Sequence, residues 1–198
     1  MAGTIFGSQH DFSITPRAKQ EICQPCHVPH RAQGEVSAAP LWNHAFSRAT
    51  YTLYFSSSLK ATMQQPMGGS KLCLSCHDGT VAIDSYPAGN TGNTWISAAN
   101  KLGTDLNVHH PSSFLYDGAL AVRKGALFDP AVQQVTIGAV PSRQGYVKDV
   151  MLVGGNVECS SCHDVHNTYT QSSAKWQTTK LLKVSMNGSA LCFVCHDF

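Results

Sequence analysis

The sequence predicts a mostly irregular chain with short α-helices and minimal β-structure, and three observations lead there. All eight cysteines of the 198 residues fall in four Cys-x-x-Cys pairs, each followed at once by histidine: Cys23-Cys26-His27, Cys73-Cys76-His77, Cys159-Cys162-His163 and Cys192-Cys195-His196. Among the 16 glycines and 9 prolines, Pro111, Pro130, Pro141 and the Gly154-Gly155 pair interrupt any long regular element. No segment approaches the roughly 18 consecutive apolar residues of a membrane-spanning helix.

Each element follows from local signals. Thr15 before Pro16 reads as an N-cap with proline at N1, opening a short helix that runs into Cys23. Ser70 and Ser189 are expected to cap short helices carrying the second and fourth motifs. Residues 86–154 lack cysteine and are rich in Gly, Asn, Ser and Pro. Trp95, Phe114, Leu115, Tyr116, Leu127, Phe128 and the alternating Val135-Thr136-Ile137 nevertheless offer packing material, with a small hairpin expected. The run Gly69-Ser70-Lys71-Leu72-Cys73 matches Gly188-Ser189-Ala190-Leu191-Cys192, and the first and third motifs both extend to Cys-x-x-Cys-His-x-x-His. The chain therefore reads as one domain, 1–198, in which paired modules 18–80 and 155–198 flank the segment 86–154.

Cys-x-x-Cys-His is the attachment signature of c-type haem: two thiols bond the vinyls and the histidine ligates the iron. Structural zinc, redox dithiols and disulfides compete for Cys-x-x-Cys, but none requires histidine directly after the second cysteine. The expectation is four covalently attached haems c, held by Cys23, Cys26, Cys73, Cys76, Cys159, Cys162, Cys192 and Cys195, with His27, His77, His163 and His196 as proximal ligands. That describes a multihaem c-type cytochrome organised around a haem chain, the porphyrins replacing much of a conventional core. The polypeptide is formally +2. Ferric haem with both propionates carries about −1, so four haems bring the oxidised protein to about −2. With no basic run, nucleic acid is not an expected partner.

Six histidines remain: His10, His30, His44, His109, His110 and His166. Four irons need at most four more ligands. A haem closed by two imidazoles exchanges electrons and binds nothing else, so no catalysis is expected. His30 and His166 lead, because both modules place a histidine three residues past the proximal one. Too close to span their own haem, they would ligate a neighbouring one. His10 reads equally as a surface residue, His109 rivals His110, and His44 reads equally as a hydrogen-bonded histidine beneath Trp42. The five methionines read as filler or surface residues.

Covalent haem attachment implies export across the bacterial inner membrane. Met1 to Gln20 has neither a basic start nor an apolar stretch, so the sequence reads as that of a mature chain.

His10-Asp11-Phe12-Ser13, Cys26-His27-Val28-Pro29-His30, Pro40-Leu41-Trp42-Asn43, Leu72 to Thr80 and Cys162-His163-Asp164-Val165-His166-Asn167 occur in that order. With them the chain resembles the tetrahaem extracellular cytochromes that polymerise into filaments, the cytochrome nanowires. The likeness spans nearly the whole chain, with little signal in the middle segment beyond His110-Pro111. It implies bis-histidine haems in alternating parallel and T-shaped pairs, with one iron per subunit ligated from the next subunit. It carries distal ligation onto His10, His30, His110 and His166, keeps His44 as a substitute, and makes His10 or His30 the preferred residue to cross the interface. The expected function is electron transfer as the subunit of an extracellular, cell-surface homopolymer, passing electrons to redox proteins or external acceptors. The alternatives are a soluble periplasmic shuttle and, behind it, a multihaem oxidoreductase.

Overall fold

The computed structural model describes residues 5–13, 21–30, 32, 34–36, 41–87, 89–169 and 180–197. Short elements separated by loops make up this part: α1 (Gly68–His77), β1 (Phe114–Leu115), α2 (Gly118–Lys124), β2 (Gln134–Ile137), β3 (Arg143–Tyr146), α3 (Val147–Val150), β4 (Asn156–Val157) and α4 (Cys159–Cys162). Single 3₁₀ turns occur at Ala98–Asn100, Asn187–Ser189 and Cys192–Val194. The chain is thus mostly loop with few short helices and two small sheets, as predicted. No helix among the described residues is long and apolar enough to cross a membrane.

The chain divides into two compact units. The C-terminal unit comprises Met1–His10, Phe55–Met63 and Phe114–Phe198; the N-terminal unit comprises Asp11–Tyr54 and Gln64–Ser113. Each contains two of the four motifs.

In the C-terminal unit the hairpin forms as expected. β2 alternates, burying Val135 and Ile137, and pairs antiparallel with β3 through Val135↔Gly145 and Ile137↔Arg143. Gly145 is required there, because a Cβ would stand 2.6 Å from Val150 Cγ1. α2 has the sequence logic of a capped helix: Asp117 accepts the Leu120 N–H at 2.8 Å, and Gly125 ends it at φ +69°. β1 pairs with β4, Phe114 opposite Val157. These elements bury Phe114, Tyr116, Leu120, Val135, Ile137, Val147, Val150, Met151 and Val157 in one cluster, joined by Val184 and Val194. This is more conventional core than the sequence led us to expect. Leu115, by contrast, points outward on β1 and Trp95 lies in a loop, 55% and 58% exposed.

In the N-terminal unit the apolar cluster is small, consisting of Val36, Trp42 and Phe46 with Cys26 and Leu72 against it. α1 is its longest element, and two capping expectations fail around it and its counterpart. Ser70 lies inside the helix, wholly buried, because α1 begins earlier, at Gly68 after Met67, whose N–H donates to the Ser113 hydroxyl at 3.1 Å. Ser189 sits inside a 3₁₀ turn at φ +61° and caps nothing. Beyond α1's cap at Asp78, Gly79 turns the chain at φ +74°, where a Cβ would meet the Lys101 stem. The Thr15-Pro16 cap lies outside the described residues; the helix expected to run from it is absent at residues 21–23.

Candidate functional site

All four motifs adopt a helical turn. The amide of His27 donates to Cys23 O at 2.8 Å, that of His163 to Cys159 O at 3.1 Å and that of His196 to Cys192 O at 2.9 Å, while Cys73 to His77 form the end of α1. One turn places residues i, i+3 and i+4 on a common face, so the two cysteines and the histidine of a motif share one side of it. At the third motif the turn is α4, locked by a capping box: the Glu158 side chain accepts the Ser161 N–H, and the Ser161 hydroxyl accepts the Glu158 N–H at 2.9 Å.

Three of the four histidines are further clamped by an extended segment laid antiparallel across them, opposite Trp42, Leu182 and Leu127. The Asn43 amide donates to Cys26 O and the Val28 amide to Leu41 O. The Lys183 amide donates to Cys162 O and the Asp164 amide to Leu181 O. The Phe128 amide donates to Cys195 O and the Asp197 amide to Ala126 O. His77 is held differently, its carbonyl accepting the Leu102 N–H at 2.7 Å.

Several imidazoles are oriented by main-chain carbonyls, which only accept. His77 Nδ1 donates to Asn100 O at 2.9 Å and His163 Nδ1 to Lys180 O at 2.8 Å. Each ring is thus oriented through Nδ1 by a main-chain carbonyl, the arrangement by which such a carbonyl orients a metal-bound histidine. His110 Nδ1 likewise donates to Pro111 O at 2.9 Å, whereas His109 directs Nε2 to Leu102 O at 3.4 Å. For ligation through Nε2, His110 is the better arranged of the two. His44 is 2% exposed, with Nδ1 2.7 Å from Ala45 O and Nε2 3.0 Å from Ala82 O. Burial outweighs these hydrogen bonds and lowers its pKa, and Trp42 meets it edge-on at 6.2 Å between centroids.

The second cysteine of each motif faces inward. Burial pushes the Cys26 thiol up to about 11, helped by Cys23, and Cys76 up to about 12, helped by Cys26 and Asp78. Cys195 rises to about 12 through burial and then Cys162, and Cys162 is raised by burial against the pull of Lys183. Each shift is the reverse of what a nucleophilic redox dithiol requires. All eight thiols are free of disulfides. Among the described residues no three His, Cys, Asp or Glu side chains gather into a cation cage. A haem iron needs none, since the protein supplies it only two axial donors. Paired thiols beside an Nδ1-tethered histidine fit a covalently attached haem.

The other candidate ligands divide evenly. His10 and His166 belong to the C-terminal unit, and His30 and His110 to the N-terminal unit with His44 and His109. Each unit thus carries two motifs and two of the four distal candidates. His30, His110 and His166 are exposed, and His10 is half-buried with its amide on Ser8 Oγ at 3.1 Å.

Sequence reasoning missed the groups that hold the motifs. Asp78, 1% exposed, accepts from the Ser47 hydroxyl, the Tyr51 hydroxyl at 2.6 Å, and the Thr80 N–H and hydroxyl at 2.7 and 2.9 Å. The Glu158-x-x-Ser161 spacing was a readable signal for the cap on α4; nothing local announces Trp42, Leu127 or Leu182 as clamps. Comparison with known protein families and with curated proteins gives no match to this chain.

Proposed function

We propose that this chain is an electron-transfer protein carrying four covalently attached haems c. The observation that carries the reading is the pairing of Cys-x-x-Cys turns with histidines whose Nδ1 is spent on a main-chain carbonyl, at His77 and His163. Haem, when bound, supplies reversible one-electron uptake at iron. The chain's part is to fix it. Cys23 and Cys26, Cys73 and Cys76, Cys159 and Cys162, and Cys192 and Cys195 would attach the haems, with His27, His77, His163 and His196 as their proximal ligands. His10, His30, His110 and His166 would supply the second histidine ligands, so that each haem would exchange electrons and not bind a substrate. The main-chain hydrogen bonds around the motifs and the Nδ1 tethers of His77 and His163 hold these residues in place, which would keep reorganisation on electron transfer small.

We further propose that the protein acts outside the inner membrane as the subunit of a conductive filament, in which His10 or His30 ligates an iron of the next copy. The resemblance described above supports this. Purified protein should gain the mass of four haems, keep its Soret band through acid-acetone extraction, and lose one haem per Cys-x-x-Cys pair changed to Ala-x-x-Ala. Retention of four haems by any such variant would refute the attachment assignment. Sedimentation and electron microscopy distinguish the assemblies: a stable monomer with four low-spin haems would mean a periplasmic shuttle, and filaments the proposed polymer.

A further inference from the structure

We propose that the Asp164 carboxylate is a positioning group that holds His166 ready as an axial ligand, a proposal that rests on the distal assignment of His166 above. Four consecutive amides turn back onto this one residue. Asp164 Oδ1 accepts the His166 N–H at 3.1 Å, and Oδ2 accepts the Thr168 and Tyr169 N–H groups, each at 2.6 Å. The Asn167 N–H donates to the Asp164 carbonyl at 2.9 Å, and Asn167 takes the left-handed conformation, φ +56°, that this tight reversal needs.

The same residue is tied to the proximal side. The Asp164 amide donates to Leu181 O at 2.8 Å, one residue from the Lys180 carbonyl that orients the His163 ring. Two histidines three residues apart cannot take opposite faces of one haem. Asp164 therefore acts as a short strut: it fixes His163, on the iron of its own motif, relative to His166, on a neighbouring iron. His166 stays exposed while its own N–H and the next three are all bound to Asp164. That combination suits a ligand whose loop entropy is lost during folding and not during ligation. The equivalent position in the first motif is Val28, whose side chain accepts no hydrogen bond. His30 thus lacks this device.

The test compares Asp164→Ala, Asp164→Asn and His166→Ala in the intact four-haem protein, with haem content measured first. Electron paramagnetic resonance counts low-spin haems, and carbon monoxide binding to the reduced protein counts open irons. Wild type should bind none. His166→Ala should open one haem in four, Asp164→Ala should open that same haem partially, and Asp164→Asn, which retains one acceptor oxygen, should open a smaller fraction. The other three haems should be unchanged, an outcome that general loss of structure would not give. If both Asp164 variants keep four low-spin haems and bind no carbon monoxide while His166→Ala opens one, the positioning role is overturned and the ligand assignment survives. If His166→Ala opens none, the ligand assignment itself falls.

Discussion

Replacing Tyr51 by Phe isolates one hydrogen bond to a buried charge. The Tyr51 ring is 9% exposed and Phe preserves its packing, so the change removes little beyond the hydroxyl that reaches Asp78 at 2.6 Å. Water cannot take its place, because Asp78 is 1% exposed. A hydrogen bond to a charged group contributes about 1.5–3 kcal/mol. That corresponds to roughly a 10- to 100-fold change in a local opening equilibrium. The opening to watch is the end of α1, where the Asp78 amide donates to Leu74 O at 3.0 Å, the Gly79 amide to Cys76 O at 3.1 Å and the Thr80 amide to Asp78 Oδ1 at 2.7 Å. Native-state hydrogen exchange read by mass spectrometry should show these amides losing protection by about that factor, with the C-terminal unit unaffected. Adding Ser47→Ala should cost less than the sum of the two single changes, since both hydroxyls serve the same carboxylate oxygen. Protection within about twofold of wild type in Tyr51→Phe would refute the view that these hydroxyls carry the buried charge.

Two further outcomes follow from the same geometry. Glu158→Ala removes the cap of α4 and should destabilise the third motif's turn by about 0.5–2 kcal/mol; exchange should rise at Ser161 to His163 and stay constant at Cys192 to His196. Asp84 gives a pH signature: desolvation raises its pKa, but hydrogen bonds from Thr94, whose amide approaches at 2.8 Å, outweigh that and leave it below the ordinary 3.8. A depressed carboxylate contributes stability that is present above the unfolded pKa and lost as pH falls through the folded one. Exchange in the loop 83–94 should therefore accelerate below about pH 3.8, and Asp84→Asn should remove that acid-dependent step.

Much of the candidate site is legible in the sequence because the proposed haem attachment would demand fixed residue types at fixed spacing. A thiol pair three apart with histidine next needs only one helical turn, and all four motifs take it. The hairpin at Val135-Thr136-Ile137 was readable for a similar reason, since alternation is a local property of a half-buried strand. Serine capping at Ser70 and Ser189 misled because a hydroxyl from Ser113, far along the chain, meets the start of α1 instead. Leu115 and Trp95 misled because apolar identity does not say which way a strand or loop faces.

By itself the sequence determined the four Cys-x-x-Cys-His turns, the loop-dominated architecture and the lack of a long apolar helix among the described residues. Only the tertiary structure decided which carbonyls orient the rings of His77, His110 and His163, and which distant segments clamp the motif histidines. The division is physical: spacing within one turn is fixed by local backbone geometry. A hydrogen bond from Asn43 to Cys26 or from Phe128 to Cys195 exists only when chain segments separated in sequence fold into register.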